Sequence, residues 1–269
     1  KNLLTQIFRL FTQSDVDVSS GYVDRYMKIF KKPEARMMMG AFNNMESIHQ
    51  HAYSLLLDTV GMPEVEYKAF ADYEAMADKH EYIDAIKVSK GDKRSIAKAL
   101  AVYSGFTEGL QLFSSFIILL NFPRFGKMKG MGQIITYSIR DESLHVEAMT
   151  KLFREFIQEN IDIWDDEFKA EIYQACREMV TLEDRFLELV FEEGDIEGLT
   201  QAEMQEYIRY IADRRLLQLG LKPNYDIKNN PLNWLDDVLG VEHQNFFEGR
   251  ATTYMKAGMR GDVNKVSFV

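Results

Sequence analysis

Hydrophobic residues recur at helical spacing along most of the chain, and polar turns divide this pattern into long segments. Apolar residues three and four positions apart are typical of amphipathic helices, and we predict core helices at about residues 1–30, 33–60, 93–121 and 131–160. The third is nearly continuous in apolar residues from Ala97 onward, which indicates a helix buried on most sides. We expect peripheral helices within 165–240 and a mixed C-terminal segment at 241–269. The pattern therefore predicts an all-α protein with one domain over residues 1–269.

Charge and cysteine content narrow the range of partners and compartments. The chain has 269 residues and a net charge of -10, which argues against nucleic acid or an anionic membrane as the main partner. Its longest apolar run, 110–122, is too short to span a bilayer. A single cysteine, Cys176, excludes an internal disulfide and fits a reducing cytosol, so we expect a cytoplasmic protein with a buried thiol. The chain begins at Lys1 already in a helical pattern, and we expect further residues upstream.

Two pairs with the spacing Glu-x-x-His carry the candidate chemistry. Glu46 and His49 lie in the second predicted helix, and Glu142 and His145 lie in the fourth. Residues three apart share one face of a helix, so each pair points a carboxylate and an imidazole in the same direction. Burying these groups in an apolar bundle is costly unless something pairs with them. A metal ion satisfies both, and two such pairs on two helices are typical of a dinuclear carboxylate site in a four-helix bundle.

Such a site needs one further carboxylate from each of the two remaining core helices. Glu108 is the only acid between Asp92 and Asp141, and it lies on the most apolar helix. In the first helix the acids are Asp15, Asp17 and Asp24. Asp24 lies far along the helix, and spacing alone does not choose between Asp15 and Asp17. A lone Glu-x-x-His is more often structural than metal-binding, but the combination of both pairs with Glu108 favours a metal site in a ferritin-like bundle.

Tyr53 follows His49 by one helical turn and falls on the same face as Glu46. A phenol beside a dinuclear metal site that has reacted with oxygen can be oxidised by one electron, and apolar neighbours that exclude water would let the radical persist. Phe116, about two turns beyond Glu108, could form a wall of that pocket. The alternative is a core tyrosine whose hydroxyl bonds a nearby carboxylate. The residues alone leave these two interpretations open.

The chain resembles the small, radical-generating subunit of class I ribonucleotide reductase over essentially its full length. The matching segments occur in the family's order and at its intervals. They are residues 11–15, 34–57, 107–109, 140–145 and 245–250.

This resemblance implies a role for each candidate residue. One metal would be held by Asp15, Glu46 and His49, and the other by Glu108, Glu142 and His145. It thereby favours Asp15 over Asp17. Tyr53 occupies the place of the radical tyrosine. Asp141 matches an aspartate that hydrogen-bonds a ligating histidine, here His49, and that belongs to the long-range electron route.

The resemblance also implies a homodimer that works with a separate, larger subunit, on which ribonucleotides are reduced to deoxyribonucleotides. Di-iron is the favoured metal centre, and dimanganese stays open because oxygen and imidazole ligands accept both ions. Two other functions suit the same bundle. A monooxygenase or oxidase acting alone on a small organic substrate would need an open cavity beside the metals, and a storage bundle would bind many ions per chain.

Overall fold

The computed structural model describes residues 2–60, 74–86, 88–89, 91–192 and 194–240. Within these ranges the chain is helical, and no strand forms apart from an isolated bridge between Ile196 and Leu199. The prediction of an all-α fold is confirmed. The helices are α1 (Asn2–Gly21, continued by π-helical Tyr22–Tyr26 and by Met27–Ile29), α2 (Pro33–Val60), α3 (Glu74–Asp84), α4 (Lys93–Arg124), α5 (Lys129–Glu159), α6 (Asp166–Val190), α7 (Gln201–Gln218) and α8 (Trp234–Gly240).

Helices α1 and α2 pack along each other, and each buries one stripe of side chains. The stripe of α2 advances in alternating steps of three and four residues, as an amphipathic helix requires. Its members are Met39, Phe42, Glu46, His49, Tyr53 and Leu56. The candidate polar residues of α2 therefore face the core with its apolar residues. The predicted first helix, 1–30, has a π-helical turn at Tyr22–Tyr26.

Helix α4 is the central element of the fold. It is α-helical over Lys93–Leu100, π-helical over Ala101–Gln111 and α-helical again over Leu112–Arg124. By length and composition it could cross a membrane, but 94% of its most apolar window is buried inside the protein. It is therefore the core helix that the continuous apolar pattern predicted. Its π-helical segment contacts α5, α6 and α7.

The π-helical segment has a close neighbour in α7. The Arg215 guanidinium donates from Nε to the carbonyl oxygen of Gly109 at 2.7 Å, and it also lies over the Phe113 ring. A Cβ at position 109 would lie 2.6 Å from Arg215 Nε, so glycine is what allows the contact. Burial lowers the pKa of Arg215 to about 10. This contact holds α7 against the segment that carries Glu108.

The turn between α4 and α5 differs from the prediction in one respect. The sequence placed Pro123 in the turn, with the helix ending near residue 121, whereas α4 continues through Pro123 to Arg124. Gly132 of α5 makes room for the proline ring, since a Cβ there would lie 2.4 Å from Pro123 Cγ. Pro123 and Gly132 thus pack closely where α4 meets α5.

Helices α6 and α7 pack against the π-helical segment of α4. Asp165 caps the N-terminus of α6, and Thr200 with Glu203 forms a capping box at α7. The buried Asp213 carboxylate accepts hydrogen bonds from backbone N–H groups of residues 224, 225 and 227, and so fixes the loop after α7. Cys176 is buried within α6, as expected.

Residues 1–233 form one compact unit, and residues 234–269 form a second. Of the second unit the structure describes α8. The assignment of one domain to residues 1–269 stays a prediction, and the matching segment 245–250 lies outside the described residues.

Candidate metal centre

Six acidic and imidazole side chains converge from four helices in the middle of the first unit. Asp15 comes from α1, Glu46 and His49 from α2, Glu108 from α4, and Glu142 and His145 from α5. None is more than 4% exposed. Ionisable groups are almost never this buried without a partner, so a cluster of four carboxylates and two imidazoles requires a positive charge within it.

The six residues form two overlapping groups that share Glu46 and Glu142. One group contains Asp15 and His49, and the other contains Glu108 and His145. Within each group one ligand atom per residue lies within 4.8 Å of the others. The Nδ1 atoms of the two imidazoles face this shared centre. His145 Nδ1 lies 3.0 Å from Glu46 Oε1, and His49 Nδ1 lies 3.3 Å from Glu142 Oε1.

Several of these atoms have no hydrogen-bond partner among the described residues, although they are close together. They are Asp15 Oδ2, both Glu46 oxygens, Glu108 Oε2, Glu142 Oε2 and the Nδ1 atoms of His49 and His145. In each of the two groups, one ligand atom per residue lies within 4.8 Å of the others. Oxygen and imidazole donors in this number suit two ions such as iron or manganese, so the donor set fits a dinuclear centre.

The pKa shifts in the cluster reflect the same demand for positive charge. Burial lowers the pKa of His49, but the carboxylates of Asp141, Glu142 and Glu46 outweigh burial and raise it to about 12. The pKa of His145 is raised to about 10 in the same way, by Glu142 and Glu46. Burial also raises the pKa of Asp15, and Glu46 and Glu142 raise it further. Bound cations would replace the protons that the apoprotein holds here.

Asp141 lies behind His49. Its Oδ2 is 3.3 Å from His49 Nε2, while its Oδ1 accepts two hydrogen bonds from Arg140. Burial opposes ionisation of Asp141, but the bonds from His49 and Arg140 lower its pKa. A carboxylate in this position fixes the tautomer of the imidazole and leaves Nδ1 free to bind a metal.

His145 has a different partner behind it. Its Nε2 lies 3.3 Å from the Met45 sulfur, and its ring packs 4.3 Å from the Phe42 ring. A thioether is a weak acceptor, so the two imidazoles are supported unequally. In the sequence, the position of Met45 next to Glu46 is its only signal of this role.

Tyr53 is 1% exposed, and its ring lies 6.2 Å from the His49 ring. Phe11 packs 5.0 Å from Tyr53 and 4.8 Å from Phe116, so aromatic side chains wall this side of the cluster. The phenol donates to Ser138 Oγ at 2.6 Å. Its partner is thus a hydroxyl and not a carboxylate. Burial, followed by the charge of Asp15, raises the pKa of Tyr53.

A second phenol touches the cluster directly. Tyr22, which is 1% exposed, donates to Glu108 Oε1 at 2.6 Å. The sequence signal for this contact is that Tyr22 lies seven residues beyond Asp15 and therefore on the same helical face.

The other histidines of the chain and the other acids of the first helix do not join the cluster where the structure describes them. His51 is exposed on α2, and Asp24 pairs with Lys28 on the surface. The side chains of Asp17 and His80, and the whole of His243, lie outside the described residues. Of the two acids that spacing left open, the structure brings Asp15 into the cluster.

A helical bundle with carboxylates and two Glu-x-x-His pairs at its centre defines the class of dinuclear carboxylate proteins. The family model described as ribonucleotide reductase, small chain, matches residues 1–231. The chain belongs to this family, and the resemblance seen in the sequence is confirmed. It is a small subunit of ribonucleoside-diphosphate reductase, an oxidoreductase.

Named relatives and solved structures agree with this assignment. The probable ribonucleoside-diphosphate reductase small subunit of Invertebrate iridescent virus 6 is 43% identical over 99% of this chain and 84% of its own length. The subunit beta of Chlamydia pneumoniae is 29% identical over 92% of this chain and 75% of its own length.

Among solved structures, a putative class I ribonucleotide reductase from Bacillus halodurans has a TM-score of 0.81 and 25% identity, and covers 88% of this chain and 86% of its own. Dimanganese(II)-NrdF of Streptococcus sanguinis shares the fold, with a TM-score of 0.77 and 22% identity over 88% of this chain and 82% of its own. The ferritin-like helical fold is confirmed.

Proposed function

We propose that this chain holds two metal ions and stores an oxidising equivalent on Tyr53 for use by a larger subunit. Asp15, Glu46 and His49 would bind one ion, and Glu108, Glu142 and His145 the other. The observation that carries the proposal is the convergence of these six buried side chains, with unpartnered donor atoms facing one another. When bound, a reduced metal pair supplies oxygen activation and, with it, one-electron oxidation of a nearby phenol.

The protein's own contribution is to position and shield the phenol. Tyr53 is buried behind Phe11, and its O–H is held by Ser138 Oγ. Ser138 donates in turn to the carbonyl of Ile134, so the phenol oxygen has a fixed orientation. Burial excludes water and reductants from the ring, and a long-lived radical requires this exclusion. Asp141 holds His49, and we propose it as the first residue of the electron route.

The ligand set accepts iron or manganese, and we propose di-iron as the main form with dimanganese as the alternative. Anomalous scattering at the iron and manganese edges of crystals grown from the purified protein would decide between them. A content of two ions per chain supports the dinuclear site. Many ions per chain would indicate a storage bundle instead.

The partners we propose are the large catalytic subunit and a second copy of this chain. Exposed apolar residues occur seven apart on two helices, with Ile48 and Leu55 on α2 and Tyr137 and Leu144 on α5. Two such stripes suit an interface between copies. Sedimentation of the purified chain tests the homodimer. With a net charge of -10 we propose a cytoplasmic protein with neither nucleic acid nor a membrane as its main partner.

The decisive experiment is electron paramagnetic resonance after the apoprotein is loaded with Fe(II) and exposed to oxygen. We expect a tyrosyl signal in the parent protein and its loss in Tyr53→Phe, with two ions per chain retained in both. A control, Tyr26→Phe, removes a buried phenol that, among the described residues, bonds the carbonyl of Ala99 and no carboxylate, and should keep the signal. A signal that survives in Tyr53→Phe would show that another phenol, with Tyr22 the first candidate, carries the radical.

A further inference from the structure

Tyr22 has a contact with the cluster that the proposed function does not use. Its phenol donates to Glu108 Oε1 at 2.6 Å, and both side chains are buried. The other oxygen of the same carboxylate, Oε2, is buried without a hydrogen-bond partner among the described residues. The two oxygens of Glu108 are therefore unequal, since one is bound by a phenol and the other is free.

We propose that Tyr22 is a positioning residue that makes Glu108 bind its metal through Oε2 alone. This inference rests on the proposed dinuclear site. A hydrogen bond to an ionised carboxylate is about twice as strong as one between neutral groups. Because Oε1 is committed to the phenol, the carboxylate is held in one rotamer with a single oxygen facing the ions.

The surroundings of Tyr22 keep the phenol in place. It begins the π-helical turn Tyr22–Tyr26, and such turns redirect side chains relative to a regular helix. The ring packs 5.8 Å from Phe42 and meets His145 edge-on at 6.1 Å. Phe42 also packs on His145. Tyr22 and Phe42 thus contact the two ligands that belong to the second metal position alone. The Tyr22 hydroxyl bonds Glu108, and the rings of Tyr22 and Phe42 pack on His145.

The first metal position, that of Asp15 and His49, has no such phenol bonded to its aspartate among the described residues. The phenol on that side, Tyr53, donates to Ser138 and leaves Asp15 Oδ2 without a donor. Tyr53 therefore does not hold a carboxylate of the first position as Tyr22 holds Glu108. Tyr22 accordingly affects the second ion and leaves the first unchanged.

The test is a crystal structure of the full chain loaded with Mn(II), together with Mn(II) titration monitored by electron paramagnetic resonance. In the parent protein we expect Glu108 to bind through Oε2 only, with Oε1 still bonded to Tyr22. In Tyr22→Phe we expect both oxygens to approach the metals. One of the two Mn(II) affinities should fall by about tenfold, the order expected for one hydrogen bond to a charged group, while the other stays unchanged.

Tyr26→Phe is the matched control, since it removes a buried phenol from the same π-helical turn without touching a carboxylate. It should change neither the binding mode nor either affinity. The inference is overturned if Glu108 in the parent binds through Oε1 or through both oxygens, and this outcome can be read even if Tyr22→Phe does not fold. It is also overturned if Tyr22→Phe leaves the mode and both affinities unchanged. A parent protein that binds fewer than two Mn(II) ions would refute the proposed function, and the inference with it.

Discussion

Replacing Asp15 by asparagine should have opposite effects on stability with and without metal. The Asp15 carboxyl is 2% exposed, its Oδ2 has no hydrogen-bond partner among the described residues, and Glu46 and Glu142 surround it. In metal-free protein this arrangement costs free energy, because Asp15 must either carry a charge beside like charges or take up a proton to avoid it. Asparagine has nearly the same shape and no charge, so Asp15→Asn should stabilise the apoprotein and weaken metal binding.

The size of the effect follows from the burial. Leaving a buried polar group unsatisfied costs about 1–3 kcal/mol, and in a chain of this size about 1 kcal/mol shifts the Tm by about 2–4 °C. We therefore expect the metal-free variant to melt about 2–12 °C above the parent. Excess Mn(II) should reverse this order of melting temperatures. An ion at a hundred times its Kd stabilises the parent by about 2.7 kcal/mol, and the variant, which binds the ion more weakly, is stabilised by less.

The pH dependence has a definite sign. Because the folded state raises the pKa of Asp15, the folded parent holds this proton more tightly than the unfolded chain does. The stability that Asp15 contributes through this proton is therefore fully present below its pKa in the unfolded chain, about 3.9. It is lost as the pH rises through the pKa of Asp15 in the folded protein. The advantage of Asp15→Asn should therefore grow between pH 4 and pH 7.

Thermal unfolding followed by circular dichroism, in EDTA and in Mn(II), measures these differences. The control is Asp24→Asn, which removes an exposed aspartate of the same helical segment that pairs only with Lys28 in the described structure. It should change stability by less than about 0.5 kcal/mol under both conditions. The reasoning fails if Asp15→Asn destabilises the metal-free protein, or if Mn(II) stabilises it as much as the parent.

Three further predictions concern residues away from the cluster. In the parent the buried Lys79 ammonium lies 2.6 Å from Glu183 Oε1, and Glu183→Gln leaves it without a counter-ion. Urea unfolding should then show that the free energy of unfolding falls by about 3–5 kcal/mol, and the double variant Lys79→Met/Glu183→Leu should recover most of this loss. Equal losses in the single and the double variant would contradict the reasoning. Gly109→Ala forces a Cβ against Arg215 and should cost about 1–3 kcal/mol in the same assay, whereas an unchanged midpoint would show that Arg215 moves aside freely. Burial raises the pKa of Cys176 from 9.0 to about 12, so stability should fall as the pH rises from 9 to 12, and iodoacetamide at pH 8 should label the unfolded chain but not the native one.

Much of the candidate site could be predicted from local spacing. Glu46 with His49, and Glu142 with His145, are pairs within single helices, and helical geometry places each pair on one face whatever the rest of the chain does. The lone Glu108 stood out because a charge on an otherwise apolar helix must find a partner. The resemblance to a known family then favoured Asp15.

Other features depend on contacts between helices that are distant in sequence. The π-helical segment around Glu108 keeps the apolar pattern of an α-helix, and the Arg215 contact that supports it comes from 106 residues away. The phenol of Tyr53 bonds Ser138, which is 85 residues away, and that of Tyr22 bonds Glu108, which is 86 residues away. Spacing along one helix cannot show which hydroxyl or carboxylate a side chain meets across the bundle.

The sequence by itself thus determined the helical class, most helix boundaries and the identity of the donor groups, because periodicity and i, i+3 spacing are properties of single helices. Only the tertiary structure decided which groups the phenols of Tyr22 and Tyr53 meet, and which carboxylate oxygens are left without a hydrogen-bond partner among the described residues. Those outcomes depend on how four helices approach one another, and that approach is set by packing among residues far apart in the chain.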